Sequence, residues 1–219
     1  PNVHIGVSID GFGYVDSILR GNPKHCELAW ETVELLKEEG FSVGVGSVVT
    51  SLNIDIMLDF KRFCQKKGVP HDVMTANFSE HFYNNVDNAE MKNLAIPKSK
   101  YSLFKKICLT GRVTSFRYYF PKYLEERRQI IPCFSGFNSF FLSSKGTVYP
   151  CIHLNQPFGN IKEEPFGNFW NDKNAKEIRK KIVQGLCHCY TQCEVSGWFR
   201  ANIIPAVIKR LKEKMNHAK

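Results

Sequence analysis

Cysteine is the residue type in this chain with the clearest capacity for chemistry. There are eight cysteines, and five follow residue 130: Cys133, Cys151, Cys187, Cys189 and Cys193. Converging thiolates bind a structural zinc ion or an iron–sulfur cluster. We expect the chain to lie outside the secretory route, because its first residues are typical of a strand and not of a secretory signal. Clustered cysteines in such a chain favour metal ligation over disulfides.

The spacing of the late cysteines predicts how they meet. Seventeen residues separate Cys133 from Cys151, and the stretches 138–142 and 147–152 predict a hairpin that brings the two close together. The segment from Cys187 to Cys193 has the character of a loop and supplies the remaining thiolates. Zinc sites commonly use two close cysteine pairs, and only the second half is compact here, which favours a cluster. Buried thiols without a ligand remain the alternative.

Other residues near the cysteines offer alternatives. His153 and His188 are possible replacements for a thiolate, but four cysteines suffice, so we expect neither to be a ligand. We expect Cys26, Cys64 and Cys108, which are scattered through the first half, to be ordinary buried thiols.

A predicted sheet in the first half of the chain would position any site that this half contains. Residues 3–9, 41–49 and 69–76 are rich in β-forming residues, and helical patterns separate them. This alternation predicts an α/β fold with a parallel sheet and crossover helices. Later in the chain, residues 98–128 and 172–184 predict basic helices, and residues 198–219 predict an amphipathic helix.

Composition limits the function classes. The apolar fraction is 43% and the apolar runs are short, which excludes a membrane span and a disordered chain. The net charge is +9, and the excess is concentrated in residues 98–128 and 198–219. Such basic faces are compatible with nucleic-acid binding, but solvated helices account for them as well, and we expect no nucleic-acid partner.

A family resemblance follows from the late motifs. Cys133 is followed after twelve residues by Gly146 and after four more by Cys151, which resembles the opening of the SPASM/twitch auxiliary-cluster domain of radical S-adenosylmethionine enzymes. The Gly159-Asn160 turn and the Cys189–Glu194 motif are similar to later parts of that domain. Five cysteines match the one-cluster twitch form better than the seven-cysteine SPASM pattern. The resemblance favours Cys133, Cys151, Cys189 and Cys193 as ligands of a [4Fe–4S] cluster, with Cys187 as the competitor.

The amino-terminal part resembles the same family independently. Ser8-Ile9-Asp10-Gly11 and the following Arg20-Gly21 are similar to the fourth strand of the radical S-adenosylmethionine barrel, and Val48 to Asn53 resembles the next strand and its exit. The resemblance implies that Ser8, Asp10 and Arg20 contact S-adenosyl-L-methionine. The alternatives are a turn-forming role for Asp10 and a surface salt bridge for Arg20.

The resemblance also implies an organisation. We expect part of a β/α barrel in residues 1–97, a basic helical connector in 98–131, the twitch-like domain in 132–197 and the amphipathic helix in 198–219. The family's cysteine triplet, spaced by three and then two residues, does not occur in the sequence. We therefore expect the chain to be the later part of a longer enzyme and to be inactive alone.

The implied function is that of a radical S-adenosylmethionine enzyme. The whole protein would carry a second [4Fe–4S] cluster and generate a 5′-deoxyadenosyl radical that abstracts hydrogen from a peptide, sugar or small molecule. An electron donor such as a flavodoxin or ferredoxin and a cytoplasmic location are implied with it. The alternative is a non-catalytic zinc- or cluster-stabilised module that binds nucleic acid through basic faces.

Overall fold

The structure is a computed structural model. It describes residues 3–76, 88, 93–111, 114–126, 128–185, 189, 191, 195 and 197–198. The described residues up to Pro121 form one compact unit, and those from Lys122 onwards form a second. Each unit has its own buried core, and the predicted boundaries at residues 97, 131 and 197 stay predictions.

A parallel sheet organises the first unit. Strands β1 (His4–Ser8), β2 (Ser42–Val49) and β3 (His71–Thr75) lie in the order β1-β2-β3, with Ser8 opposite Gly46 and His71 opposite Val45. Helices α1 (Gly13–Arg20) and α2 (His25–Glu38) connect β1 to β2, and α3 (Met57–Lys66) connects β2 to β3. The predicted α/β fold with parallel strands and crossover helices is confirmed. The described strands form an open sheet.

The segment between β1 and β2 contains two helices. It was predicted only as a helical pattern, and the structure divides it into the two-turn helix α1 and the longer helix α2. Helix α1 ends at Gly21, whose φ of 67° lets two backbone carbonyls of the last turn accept hydrogen bonds. The glycines around its start concealed the helix, because glycine lowers helix propensity.

One face of the parallel sheet is covered by helices, and the described residues leave the other face exposed. Val43, Val45 and Val49 of β2 are buried, and the largest fully buried side chains of the unit include Phe60 and Met57 of α3. On the opposite face the β1 residues His4, Gly6 and Ser8 are exposed. A Cβ added at Gly6 or at Gly46 would meet no heavy atom within 4 Å. The described residues therefore leave this second face open.

Two more helices complete the described part of the first unit and lead out of it. Helix α4 spans Tyr101–Leu109, and helix α5 spans Ser115–Glu126 and contains Pro121, after which the second unit begins. Phe104 of α4 packs edge-on against Phe120 of α5 at 5.3 Å between ring centres. Both rings are almost fully buried, so the basic residues of 98–128 lie on helices that share an aromatic core.

The second unit is built on a small antiparallel sheet. Strands β4 (Phe141–Leu142), β5 (Thr147–Tyr149) and β6 (Gly159–Asn160) pair in that order, and helices α6 (Phe166–Trp170) and α7 (Lys173–Val183) follow. The predicted hairpin is present with shorter strands, whereas β6 and α6 were not predicted. Asp172 caps α7 by accepting a hydrogen bond from the Ala175 N–H. Six buried residues form the core: Val148, Phe158, Phe169, Ala175, Ile178 and Ile182.

No helix among the described residues is long and apolar enough to span a bilayer. The amphipathic helix was predicted for residues 198–219. Of these, only Trp198 is among the described residues.

Candidate iron–sulfur centre

The candidate centre begins at a tight turn after Cys133. The backbone N–H groups of Phe137 and Asn138 both donate to the Phe134 carbonyl, and the Gly136 N–H donates to the Ser139 carbonyl at 2.8 Å. The Ser135 N–H donates to the Cys133 Sγ at 3.4 Å. Backbone donors aimed at a cysteine sulfur stabilise the thiolate form and are common around protein-bound clusters. We refer to residues 133–139 as the Cys133 turn.

The Cys133 turn packs against the segment that carries Cys151. Gly136 has a φ of 76°, and a methyl group added to it would lie 3.0 Å from Pro150 Cβ and 2.9 Å from the Phe158 ring. Pro150 immediately precedes Cys151, which is 8% exposed. The expectation that the hairpin brings these two segments together is met at the level of the backbone, with Gly136 as the residue that permits the close approach.

The region of the last three cysteines also reaches the Cys133 turn. A methyl group added to Gly197 would collide with the Asn138 side chain and lie 3.1 Å from Phe134 Cβ. Gly185, which precedes the cysteine-rich segment, lies within 3.3 Å of the Gln129 Oε1 by the same measure. The chain therefore passes close to Gln129, four residues before Cys133, ahead of Cys187, and close to the Cys133 turn itself after Cys193.

The five predicted ligands are described to different extents. Cys133 and Cys189 are partly buried and Cys151 is buried, whereas Cys187 and Cys193 lie outside the described residues. Within the described ranges, no three His, Cys, Asp or Glu side chains are placed to hold a metal ion. His153 is partly buried, and His188 lies outside the described residues. The ligand set therefore stays a prediction.

The surroundings of the described cysteines match the chemistry of a cluster. Cys133 packs against the core that contains Val148, Phe158 and Phe169. An apolar wall of this kind keeps water from a cluster and strengthens each hydrogen bond to its sulfurs. The cysteine-rich donor set is soft, which suits iron–sulfur clusters and zinc better than magnesium or calcium. The residues present therefore fit a thiolate-bound cluster.

A second group of polar residues lies at the carboxyl edge of the parallel sheet. The Asp10 carboxylate accepts hydrogen bonds from the Val48 N–H at 2.7 Å and from Arg20 Nη2 at 2.9 Å. Asp10 is 3% exposed, and burial raises the pKa of its carboxyl while the Val48 N–H and Arg20 oppose that rise. Ser8 lies two residues earlier on the open face of the sheet. The structure thus brings Asp10 and Arg20 together, and the salt bridge considered for Arg20 is partly buried with Asp10 as its partner.

Two residues that support this edge were not predicted as site residues. Asp16 is fully buried and accepts hydrogen bonds from the Asp10 N–H and from His25 Nδ1, each at 2.6 Å. Asn53 is also fully buried, and its amide donates to the carbonyls of Asp10 and Val48. Asp16 lies in helix α1, and Asn53 follows the end of β2 by four residues. Short polar side chains in the segments that follow the carboxyl ends of the strands were the signal that could have identified them.

The three early cysteines behave as expected of ordinary thiols. Cys64 and Cys108 are fully buried in the first unit, and burial raises the pKa of each thiol to about 12. Cys26 is partly buried, and its thiol is 3.7 Å from the Gly11 carbonyl oxygen. A thiol that stays protonated is a poor nucleophile and a poor metal ligand.

Known proteins place these features in a family. The family model of the SPASM domain, an iron–sulfur cluster-binding domain, matches residues 133–194 and so includes all five late cysteines. The AdoMet-dependent heme synthase of Methanosarcina barkeri (strain Fusaro / DSM 804) is 34% identical over 86 residues, which are 37% of this chain and 24% of that protein. Residues 133–194 of the chain therefore match a SPASM domain, and the chain is similar over part of its length to an AdoMet-dependent protein.

Solved structures agree on the fold. Native anSMEcpe with bound AdoMet superposes with a TM-score of 0.53 at 17% identity, over 82% of this chain and 53% of that one. The same protein with bound AdoMet and the Kp18Cys peptide gives a TM-score of 0.52 at 17% identity, over 82% and 54% of the two chains. The chain thus spans about half the length of these structures. Its SPASM domain, an iron–sulfur cluster-binding domain, coincides with the second unit from Cys133 onwards.

Proposed function

We propose that this chain provides the auxiliary-cluster domain and one wall of the cofactor site of a radical S-adenosylmethionine enzyme. The observation that carries the proposal is the packing of the Cys133 turn against Pro150 and Gly197 within the SPASM region. This packing brings the turn that follows Cys133 close to the residue before Cys151 and to Gly197, which follows Cys193. We propose Cys133, Cys151, Cys189 and Cys193 as the ligands of a [4Fe–4S] cluster, with Cys187 as the competitor for one position.

The first unit supplies the proposed cofactor wall. Strand ends of a parallel β/α sheet line the active face of barrels, and Asp10 and Arg20 lie just beyond such an end. The Arg20 guanidinium retains donors beyond those that contact Asp10, and a guanidinium pairs well with a carboxylate such as that of an amino-acid-derived cofactor. Ser8 presents a hydroxyl on the open face, where we propose that it contacts the same cofactor. The three strands would then be part of a β/α barrel.

The residues of the chain would hold and orient the cofactor and the auxiliary cluster. When bound, S-adenosylmethionine and its cluster supply hydrogen-abstraction chemistry, and the auxiliary cluster supplies a binding or electron-transfer site. Asp10 keeps Arg20 in place through its carboxylate, and the Val48 N–H fixes that carboxylate. In the second unit, the Ser135 N–H stabilises the Cys133 sulfur and the aromatic core excludes water. The substrate class that we propose is a peptide, sugar or small molecule.

The cluster is tested by anaerobic purification of the chain. We expect a brown protein with about four iron and four sulfide per chain, as a [4Fe–4S] cluster requires. Alanine at Cys133, Cys151, Cys189 or Cys193 should lower the iron content severely, whereas Cys26→Ala, which changes a thiol of the first unit, should not. Colourless protein with one zinc per chain, or equal iron in all five variants, would contradict the proposed centre.

A second measurement addresses the activity of the chain by itself. Because its sequence lacks the cysteine triplet of the family, we expect reconstituted and reduced protein to release no 5′-deoxyadenosine from S-adenosylmethionine. Liquid chromatography with mass detection provides the readout, and a complete radical S-adenosylmethionine enzyme under the same conditions serves as positive control. Release above the level of a protein-free sample would contradict this expectation, because it would show that the chain itself cleaves S-adenosylmethionine.

A further inference from the structure

One charged residue of the second unit lies inside its core. Arg179 occupies helix α7 between the core residues Ile178 and Ile182, and it is 9% exposed. No carboxylate among the described residues forms an ion pair with it within 4.0 Å, although Asp172 interacts with it electrostatically over a longer distance. Burying a cation in this way is unfavourable unless specific contacts compensate. The contacts of Arg179 therefore indicate what the charge is for.

Aromatic rings surround the guanidinium. Its central carbon lies 4.5 Å from the centre of the Trp170 ring, 5.0 Å from that of Phe158 and 5.7 Å from that of Phe137. Cations are attracted to the faces of such rings, and the attraction is strongest where water is excluded. The rings hold the positive charge in place, but they do not neutralise it.

The hydrogen bond of Arg179 reaches the candidate centre. Its Nε donates to the Gly136 carbonyl at 2.5 Å, within the Cys133 turn. Its Nη2 is buried, and no described residue accepts a hydrogen bond from it. Gly136 in turn packs against Pro150, the residue before Cys151. Arg179 is thus joined by one direct bond to the turn that carries one proposed ligand and abuts the next.

We propose that Arg179 is a positioning residue for the iron–sulfur centre: it fixes the Cys133 turn through the Gly136 carbonyl and places a buried positive charge against that turn. This inference rests on the proposed function, because it presupposes a cluster at Cys133. A cluster held by four thiolates gains negative charge on reduction, so a nearby buried cation favours the reduced form. We expect the hydrogen bond from Arg179 to Gly136 to help the protein retain the cluster, and the charge of Arg179 to raise the reduction potential of the cluster.

Three substitutions separate these roles. Arg179→Lys keeps the charge but loses the planar guanidinium, Arg179→Gln keeps an N–H donor without charge, and Arg179→Met keeps neither. Lys180→Met is the matched control, because it removes one positive charge from the next residue of the same helix, where the side chain is exposed. All variants are purified anaerobically as the full chain, and circular dichroism establishes that each is folded.

The measured quantities are iron content, the electron paramagnetic resonance spectrum of the reduced cluster and its reduction potential. We expect Arg179→Gln to keep most of its iron but to have a reduction potential lower by about 59 mV, which corresponds to a tenfold change in the equilibrium constant for one electron. Arg179→Lys should retain the parent potential with an altered spectrum. Arg179→Met should lose iron several-fold faster on exposure to a chelator, and Lys180→Met should match the parent throughout.

The outcomes that overturn the inference differ from those that overturn the proposed function. A parent chain without iron refutes the cluster itself. A parent chain that holds a cluster, with Arg179→Gln and Arg179→Met equal to it in potential, spectrum and iron loss, refutes the role of Arg179 alone. Equal shifts of the potential in Arg179→Gln and Lys180→Met also refute that role, because they would show that any charge on the helix acts alike. If Arg179→Met does not fold, the comparison of Arg179→Gln with Arg179→Lys decides the question.

Discussion

A buried lysine in the first unit permits a quantitative test of its packing. Lys61 of α3 is 2% exposed, and its Nζ donates one long hydrogen bond to the His71 carbonyl at 3.5 Å. Burial, reinforced by Arg117, lowers the pKa of Lys61 to about 8, while Asp72 acts in the opposite direction. Replacing the lysine by methionine removes the charge and keeps an unbranched side chain of similar length.

The magnitude follows from the pKa. A change from 10.5 to about 8 means that keeping this lysine protonated in the folded state costs about 3 kcal/mol at neutral pH. The long hydrogen bond to His71 returns at most about 1 kcal/mol. We therefore expect Lys61→Met to raise the free energy of unfolding of the first unit by about 2 kcal/mol at pH 7.

The pH dependence of stability provides an independent test of the direction of this effect. Because the folded-state pKa is the lower one, the unfolded parent binds more protons between about pH 8 and pH 10.5, and the parent gains stability as the pH rises through this window. The advantage of Lys61→Met should therefore vanish towards pH 10.5. Both proteins also become less stable as the pH rises, because burial raises the pKa values of Cys64 and Cys108 to about 12. Lys61 lowers the pKa of both thiols, so this loss is slightly larger in Lys61→Met.

The assay is urea unfolding followed by the fluorescence of Trp30, which packs against Phe60 and Phe63 of α3. The other two tryptophans, Trp170 and Trp198, are replaced by phenylalanine in parent and variant alike. Lys66→Met, at an exposed position of the same helix, serves as control and should change stability by less than about 0.5 kcal/mol. A Lys61→Met protein that is less stable than the parent at pH 7, or a difference that does not vary with pH, would refute the reasoning.

Three further predictions concern the two cores and the sheet edge. Asn53→Ala leaves three backbone groups of the sheet edge without partners and should cost about 3 kcal/mol in urea unfolding. Gly159→Ala should destabilise the second unit by about 1–3 kcal/mol in thermal unfolding, because the added methyl would lie 2.5 Å from the Phe169 ring. Gly167→Ala, where nothing lies within 4 Å, should be neutral or stabilising. Burial lowers the pKa of His71 to about 3, so the first unit should lose about 2 kcal/mol between pH 6.5 and pH 5, a loss that His71→Asn should abolish in a pH series.

The strands of the first unit were predictable because their signal is local. Runs of β-branched residues bounded by glycine predicted β1, β2 and β3 within a few residues, and the intervening helical patterns predicted parallel pairing. Helix α6 and strand β6 were not predicted: they span five and two residues, and they lack the hairpin pattern that predicted the equally short β4 and β5. Elements of this length are stabilised by the core that they cover, and no periodic pattern in the sequence marks them.

The sequence predicted which cysteines are candidate ligands, but it did not predict the residues that hold the candidate site in place. The cysteine spacing identified the ligand candidates, whereas the sequence interpretation took helix α7 as simply basic and missed Arg179. The signal was present: residues 175, 178, 179 and 182 lie on one helical face, and three of them are apolar. The partner of a buried cation is the Gly136 carbonyl, 43 residues away, and no local pattern identifies a contact over that distance.

The bare face of the parallel sheet offers a position for a spectroscopic reporter. Because no heavy atom of the described residues lies within 4 Å of a Cβ added at Gly6 or Gly46, a nitrile-bearing unnatural amino acid at either position should fit without repacking the core. Gly46 pairs with Ser8, so its infrared band would shift as soon as a molecule covered that face. The glycines that leave the sheet uncovered therefore make it a surface on which binding can be followed directly, one candidate ligand at a time.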